Sequence, residues 1–521
     1  MRRATYARDP LRRRARARCA SAAIRHHARY QDLPMTTPEP VSSSARSAHG
    51  NRWVALAVLC MGALMIVLDT TIVNVALPSI RTDLKFTETS LAWVVNAYLL
   101  TFGGFLLLGG RLGDLFGHRR VFLIGIAIFT LASLACGMAG SQVFLVAARG
   151  VQGLGGAVVT AVALSLIMNL FTEPADRAKA MGVYSFVCAG GGSVGVLLGG
   201  LLTDALNWHW IFLVNIPLGA IVLAATLKLL PAAPGQGEGH LDVAGSVTVT
   251  ASLMLAVYAI VNGNEAGWTS LRTLGLLGAA AALLAAFLWI ESRVRAPLMP
   301  LSLFRLRNVA VANVVGVLWA AAMFAWFFLS ALYMQLVLHY TPMQVGLAFL
   351  PANLIMAAFS LGLSAKLVMR FGVRWPLAFG LALATVGLLL FARAPVNGEF
   401  LRDVLPGMLL LGLGAGIAFN PMLLAAMSDV APSESGLASG VVNTAFMMGG
   451  ALGLAILASL AASRTSGALG AGGDPLAALA SGYHIAFLVG AVFGFSAALL
   501  GGLLLRAPAQ DTAQEAAPAL H

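Results

Sequence analysis

Two ionisable side chains, Asp69 and Arg149, sit deep inside long apolar runs. A charged group at the centre of a lipid-spanning helix costs about 2.5 to 3.5 kcal/mol on insertion scales, so its default reading is functional. Removal from water favours the protonated acid, whereas a neighbouring guanidinium favours the carboxylate. A carboxyl balanced between the two can bind and release a proton as its surroundings change. The alternative is local: Asp69 hydrogen-bonds within its own helix, with Thr70, Thr71 or Asn74. A second cluster is "GGRLGDLFGHRR", residues 109–120, where Asp114 lies among Arg111, Arg119, Arg120 and His118. Glycines let the backbone turn and let helices approach, and a carboxylate beside a helix N-terminus meets a positive dipole. Taken alone, the stretch also reads as an ordinary tight turn between helices.

The elements that must position these groups are membrane helices. Of 521 residues, 59% are hydrophobic and only 10% charged, and the mean hydropathy is +0.85. A spanning helix needs about 20 mainly apolar residues. The runs that qualify are 53–78, 91–109, 121–140, 143–169, 180–203, 210–230, 243–262, 273–290, 309–337, 344–368, 375–394, 403–427, 435–460 and 483–505, fourteen in all. With a cytoplasmic N-terminus, the loops on that side after the first span carry fourteen Lys and Arg against six on the other side. This asymmetry places both termini in the cytoplasm.

The net charge of +12 is concentrated: residues 1–34 hold ten arginines against Asp9 and Asp32, or +8. The remaining +4 forms no basic face, which argues against nucleic acid as a partner. The tail reads as a basic cytoplasmic segment without a packed fold, as a lipid-attracted or transit segment, or as a product of start-site choice, since Met35 opens a short polar leader. Cys19, Cys60, Cys136 and Cys188 are too scattered for a metal site or a disulfide framework and read as packing thiols.

An internal repeat is visible. "GRLGDLFGHRR" from Gly110 is echoed by "AKLVMRFGVR" from Ala365, with Met369 where the first copy has Asp114. The Pro/Gly-rich stretch 231–242 separates the halves. The organisation expected is a tail (1–50), a six-helix set (51–230), a linker with two extra spans (231–308), a second six-helix set (309–506) and a cytoplasmic tail (507–521).

These residues resemble the major facilitator superfamily, and within it the fourteen-helix drug:proton antiporter branch of the EmrB/QacA type. The resemblance rests on "GRLGDLFGHRR", "LDTTIVNVALPSI" (68–80), "RGVQGLGGA" (149–157), "NWHWIFLVNIPLG" (207–219) and "SESGLASGVVNTAFMMGGALG" (433–453), and runs from about residue 53 to 506. It implies an all-α membrane protein of two six-helix bundles plus two extra central helices. It also implies a secondary transporter of the inner membrane that works by alternating access. Its partners would be small amphipathic substrates, protons and the bilayer, with a periplasmic adaptor and outer-membrane channel as further candidates. No cofactor or metal is expected, the proton gradient being the energy source.

By the same resemblance, Gly110, Arg111, Asp114, Gly117, Arg119 and Arg120 form a charge-paired cytoplasmic latch between the halves, degenerate in the second copy at Met369. Asp69 carries the proton and Arg149, on a neighbouring cavity-lining helix, tunes it. Gly191, Gly195, Gly199 and Gly200 form a small-residue stripe in span five, where close packing is the simplest reading. The branch has a Gly-Pro-x-x-Gly-Gly pattern there, and Val196 stands at the proline position, which leaves the direction of transport open. Asn96, Tyr98, Gln152, Asn353, Asn420 and Asn443 are candidate cavity liners or interhelical hydrogen-bonding groups. Phe446, Met447 and Met448 suggest an apolar cavity or simple core packing.

No Walker A motif, nucleophile elbow or HExxH is present, so ATP-driven transport and hydrolysis lack their residues. The competing readings are transport of one specific metabolite, in either direction, and a membrane-embedded enzyme. The last would need clustered His or carboxylates within the spans, whereas His209, His339 and His484 are isolated near outer ends.

Overall fold

The computed structural model describes residues 43–230, 242–294, 297–359, 363–428, 430 and 435–506. The expected tails at 1–42 and 507–521 and most of the linker lie outside the described residues. The described part of the N-terminal helix runs from Ser43. Residues from Val54 onward form one compact unit.

Among the described residues, fourteen principal helices follow one another. They are α1 (Ser43–Leu84), α2 (Trp93–Phe116), α3 (His118–Gly137), α4 (Gln142–Leu170), α5 (Pro174–Ala205), α6 (Asn215–Leu229) and α7 (Val243–Ala266). The second seven are α8 (Leu271–Arg293), α9 (Arg307–Leu332), α10 (Pro342–Ala358), α11 (Arg374–Phe391), α12 (Leu405–Met427), α13 (Ser435–Gly470) and α14 (Pro475–Leu504). Lipid offers the backbone no hydrogen-bond partners, so long apolar runs must satisfy their own amides as helices. Thirteen helical segments among the described residues are long and apolar enough to cross a bilayer, and α10 is a shorter fourteenth. Of the span expected at 344–368, α10 (to Ala358) and the helix Ser364–Phe371 are described, and residues 360–362 between them lie outside the described residues.

Polar residues set the helix starts. Thr87 and Thr341 form capping boxes, and Ser141, Asp242, Ser270 and Asp474 each accept a hydrogen bond from a backbone N–H in the first turn of the helix they precede. Gly117 joins α2 to α3 at φ 90°, and Gly372 joins Ser364–Phe371 to α11 at φ 73°. The repeat seen in sequence is therefore a repeated left-handed turn, a conformation that glycine adopts without steric penalty.

In the first set, α4 packs on α2 and α3, and α6 on α3; in the second, α11 packs on α12 and α14, and α13 on α9 and α14. The sets meet along two seams, α2 with α13 and α5 with α10. The glycine stripe of α5 serves both packing directions. A β-carbon on Gly199 would lie 2.7 Å from the Ile72 carbonyl oxygen of α1, and one on Gly200 would lie 2.7 Å from the Pro342 carbonyl oxygen of α10. Gly195 and Gly191 face Leu68 and Leu64 of α1.

The two extra helices form a hairpin, closed by a bond from Ser252 Oγ to the Ala280 carbonyl at 2.7 Å. Its α7 arm packs on both α2 and α13, and so touches both sets. Asn264 Nδ2 donates to the Ser459 carbonyl of α13 at 2.8 Å, and Ser459 Oγ donates back to the Ile260 carbonyl at 3.2 Å.

Candidate functional site

Asp69 and Arg149 meet directly. Arg149 Nη1 donates to Asp69 Oδ2 at 2.5 Å, and the two side chains are 1% and 0% exposed. The second carboxylate oxygen accepts from Gln152 Nε2 at 2.6 Å and from Asn215 Nδ2 at 3.3 Å. Thr70, Thr71 and Asn74 instead bond backbone carbonyls of their own helix, so the local alternative for Asp69 is not what the structure has.

Arg149 is held on every side. Its Nε donates to the Val94 carbonyl at 3.0 Å, its Nη1 also reaches Gln152 Oε1 at 2.6 Å, and its guanidinium lies 4.4 Å from the Tyr98 ring centre and 5.6 Å from that of Phe212. Gln152 Nε2 extends the network to Ser133 Oγ at 2.7 Å, and Cys136 Sγ donates to Gln152 Oε1 at 3.6 Å. Side chains from α4 and α6 thus converge on the α1 carboxylate, and Ser133 of α3 joins the network through Gln152. A pair this buried is tolerated only when its remaining hydrogen-bonding capacity is met, which the amides and the Val94 carbonyl provide.

This geometry corrects several expectations. Arg149 does not line an open cavity: the pair is enclosed within the first helix set, because the glycine-rich contact of Gly153 with the Tyr98 carbonyl and of Gly156 with Phe102 brings α2 hard against α4. Gln152 is a partner of the ion pair and not a liner. Asn96, Tyr98 and Asn353 are also buried, at 0%, 1% and 2% exposure, with polar atoms that have no hydrogen-bond partner. Asn420 and Asn443 are half-buried, and Asn443 Nδ2 bonds the Ser439 carbonyl of its own helix. Ser133 and Asn215 were not singled out by sequence, and only their shared distance to Asp69 and Gln152 identifies them.

The turn between α2 and α3 also differs from expectation. Asp114 Oδ1 pairs with His118 Nε2 at 3.2 Å, four residues on, and not with an arginine. Arg119 Nη2 donates to the Leu227 carbonyl at 2.6 Å, while Arg111 and Arg120 are exposed. The C-terminal carbonyls of α6 lack helical partners and attract the cation. All of these bonds lie within the first helix set. Gly113 sits 3.1 Å, by its would-be β-carbon, from both His118 and Val162, and Gly110 only 3.9 Å from Ala161.

At the seam between the sets, Gly103 of α2 faces Met447 Cβ and Met448 Cγ of α13, at 3.1 and 3.2 Å from its would-be β-carbon. Phe446 meets Phe324 and Phe419 edge-on, with ring centres 5.9 Å apart in both cases. The α13 face of this seam is aromatic and sulfur-rich, with Phe446 and Met448 buried at 3% and 8% exposure in the packing. At the opposite end of α1, Gln335 in the π turn Tyr333–Val337 donates to the Val75 carbonyl at 2.9 Å, one turn before Pro78. A cleft of about 580 Å³ lined by Pro78, Ser79, Thr82, Asp83, Gln335 and Pro342 opens beside it.

Comparison with known proteins agrees with this architecture. The model of the Major Facilitator Superfamily matches residues 59–454. The chain belongs to that superfamily. It is 38% identical over 475 residues to the puromycin resistance protein of Streptomyces alboniger, covering 90% of this chain and 94% of that protein. It is also 38% identical to the cephamycin export protein of Amycolatopsis lactamdurans, with 90% and 96% covered. A bacterial homologue of the lysosomal transporter Spinster, solved inward-facing and unoccupied, superposes with a TM-score of 0.61 at 17% identity, covering 87% of this chain and 97% of that one. The protein is thus a multi-pass membrane transporter of small molecules and not an enzyme.

Proposed function

We propose that this superfamily member is a proton-coupled exporter of hydrophobic or amphipathic drugs, working by alternating access in the cytoplasmic membrane with both termini inside. The observation that carries the coupling is the enclosed Asp69–Arg149 pair. Export of drugs is supported by relatives named for resistance to puromycin and export of cephamycin.

In this reading Asp69 is ionised while Arg149 faces it and takes up a proton when they separate. Arg149 is not stranded by that step, since the Val94 carbonyl, Gln152 Oε1 and the Tyr98 ring already hold it. Gln152 and Asn215 orient the carboxylate. Separating the pair requires α1 to shift against α4 within the first set, coupled to movement of the two sets about the α2–α13 and α5–α10 seams that would expose it to one side of the membrane at a time. The energy source is the proton gradient, with no cofactor.

The test is drug transport in vesicles under an imposed pH gradient. Asp69→Asn abolishes concentration of drug against its gradient and spares binding and downhill exchange. Because this change leaves Arg149 buried without its anion, the double variant Asp69→Asn with Arg149→Gln is measured beside it. Uphill transport at the parent rate by either folded variant overturns the assignment. Reporter fusions at Gly263 and Gly470 are expected to report the outer side, and a cytoplasmic signal at either overturns the orientation.

A further inference from the structure

A second pair of buried ionisable groups lies outside this network, at the base of the extra hairpin. Asp242 precedes α7 and Glu291 ends α8, and each residue is only 4% exposed. One oxygen of each has a backbone donor: Gly245 N–H to Asp242 Oδ1 at 2.7 Å, and Met299 N–H to Glu291 Oε2 at 3.2 Å. The other two, Asp242 Oδ2 and Glu291 Oε1, are buried without a partner. They converge: a β-carbon on Gly245 would lie 2.5 Å from the first and 3.0 Å from the second.

Two adjacent carboxylates in a buried site cannot both stay ionised, and one proton between them converts mutual repulsion into a charge-assisted hydrogen bond. No cation supplies an alternative among the described residues. On α8, Arg293 lies over the Trp289 ring at 5.7 Å; on α2, Arg111 is exposed and Asp114 pairs with His118; in the segment before α9, Arg305 is exposed. The described inner end of α13 carries no charge.

We propose that Asp242 and Glu291 form a second proton-binding site, which holds one proton between them and fastens the base of the hairpin to the segment leading into α9. Met299, held by Glu291, packs on the cluster of Leu303, Val309 and Val441, and α7 packs on both helix sets. Loss of the proton places two negative charges at the point where the hairpin is tied to the second set. In the orientation proposed above, this site faces the cytoplasm. It is independent of Asp69 and stands whether or not Asp69 is the coupling acid.

The folded protein binds this proton more tightly than the unfolded chain does. The stabilisation is therefore complete below the ordinary carboxylate range and is lost as pH rises through the ionisation of the pair. The test is thermal unfolding of the purified full-length protein in nanodiscs from about pH 5 to about pH 9, with infrared spectra of the protonated carboxyl stretch. Glu291→Gln and Asp242→Asn each keep the interside-chain hydrogen bond without a shared proton. The parent is expected to lose about 3 °C or more across this range relative to either variant, and each variant to lack one protonated-carboxyl band. Identical pH profiles and bands in the parent and in whichever variants fold overturn the proposal. So does a parent whose unfolding temperature follows added Na⁺ or Ca²⁺ at fixed pH and not the proton concentration, because the two oxygens would then hold a metal cation.

Discussion

The two turns of the repeat share a backbone and an arginine but not an acid. In each, a glycine at positive φ is followed two residues later by an arginine that reaches the last helix of its own set. Arg119 after Gly117 bonds the Leu227 carbonyl of α6, and Arg374 after Gly372 bonds the Gly502 carbonyl of α14. The acidic position differs: Asp114 pairs with His118, whereas Met369 stands 79% exposed. What recurs in both halves serves the fold, and what occurs in one half is free to serve function. The same asymmetry holds inside the membrane. The first set encloses Asp69 and Arg149, while the buried polar residues of the second set, among those described, are uncharged.

The largest effect should come from breaking the charge that only the first half has. Arg149→Ala leaves Asp69 buried with amides alone, and removal of one partner from a buried pair costs about 3 to 5 kcal/mol. Loss of folded protein in detergent, read by fluorescence-detected size exclusion, is the expected outcome, whereas Asn353→Leu in the second set should leave the protein folded. Equal tolerance of both changes would show that the enclosed pair is not the structural centre of its half.

The features common to both halves should respond alike. Gly117→Ala and Gly372→Ala force an L side chain into the left-handed region, at about 1 to 2 kcal/mol each. Arg119→Ala and Arg374→Ala each remove a charged donor from a helix-terminal carbonyl, at about 1.5 to 3 kcal/mol where the bond is well shielded and less where water replaces it. Thermal unfolding checks both pairs. A turn that proved indispensable in one half and neutral in the other would break the structural equivalence of the repeat.

How much of this was legible in the sequence follows from where each group lies. Asp69 and Arg149 stood out because an apolar run makes any charge conspicuous, and the fourteen helices follow from run length. The turn repeat was legible because glycine and arginine keep their spacing. The partners were not. Whether Gln152 faces a cavity or an ion pair depends on rotation about the α4 axis, and Ser133 and Asn215 are common types in membrane helices. Asp242 and Glu291 escaped notice because charges are expected at helix ends, and only burial sets them apart. The latch arginines were assigned to Asp114 by analogy, whereas the unsatisfied carbonyls of α6 are the nearer claim on Arg119.

A smaller structural effect, with a large one on activity, is expected at Asp114. It is half-buried and its partner is a neighbouring histidine, so Asp114→Asn should leave folding nearly unchanged, as partly exposed ion pairs contribute about 0 to 1 kcal/mol. Transport should nevertheless fall, if the acid belongs to a contact that forms and breaks during the cycle. Normal transport by folded Asp114→Asn would reduce the turn to a topogenic loop.

The smallest effect is expected from supplying the missing acid. Met369→Asp places a carboxylate at the equivalent position of the second turn, where the preceding helix ends at Phe371 and Arg370 stacks 5.3 Å from its ring. The counterpart of His118 there is Val373, which is 8% exposed and cannot answer a charge. The new carboxylate would remain in water, so unfolding temperature and transport should both stay at parent values. A measurable gain in transport would mean that the acid alone confers the switching property, and that the histidine and the first helix set around it are dispensable. No gain from Met369→Asp, followed by a gain when Val373→His is added, would instead locate the difference between the two turns in the acid–imidazole pair.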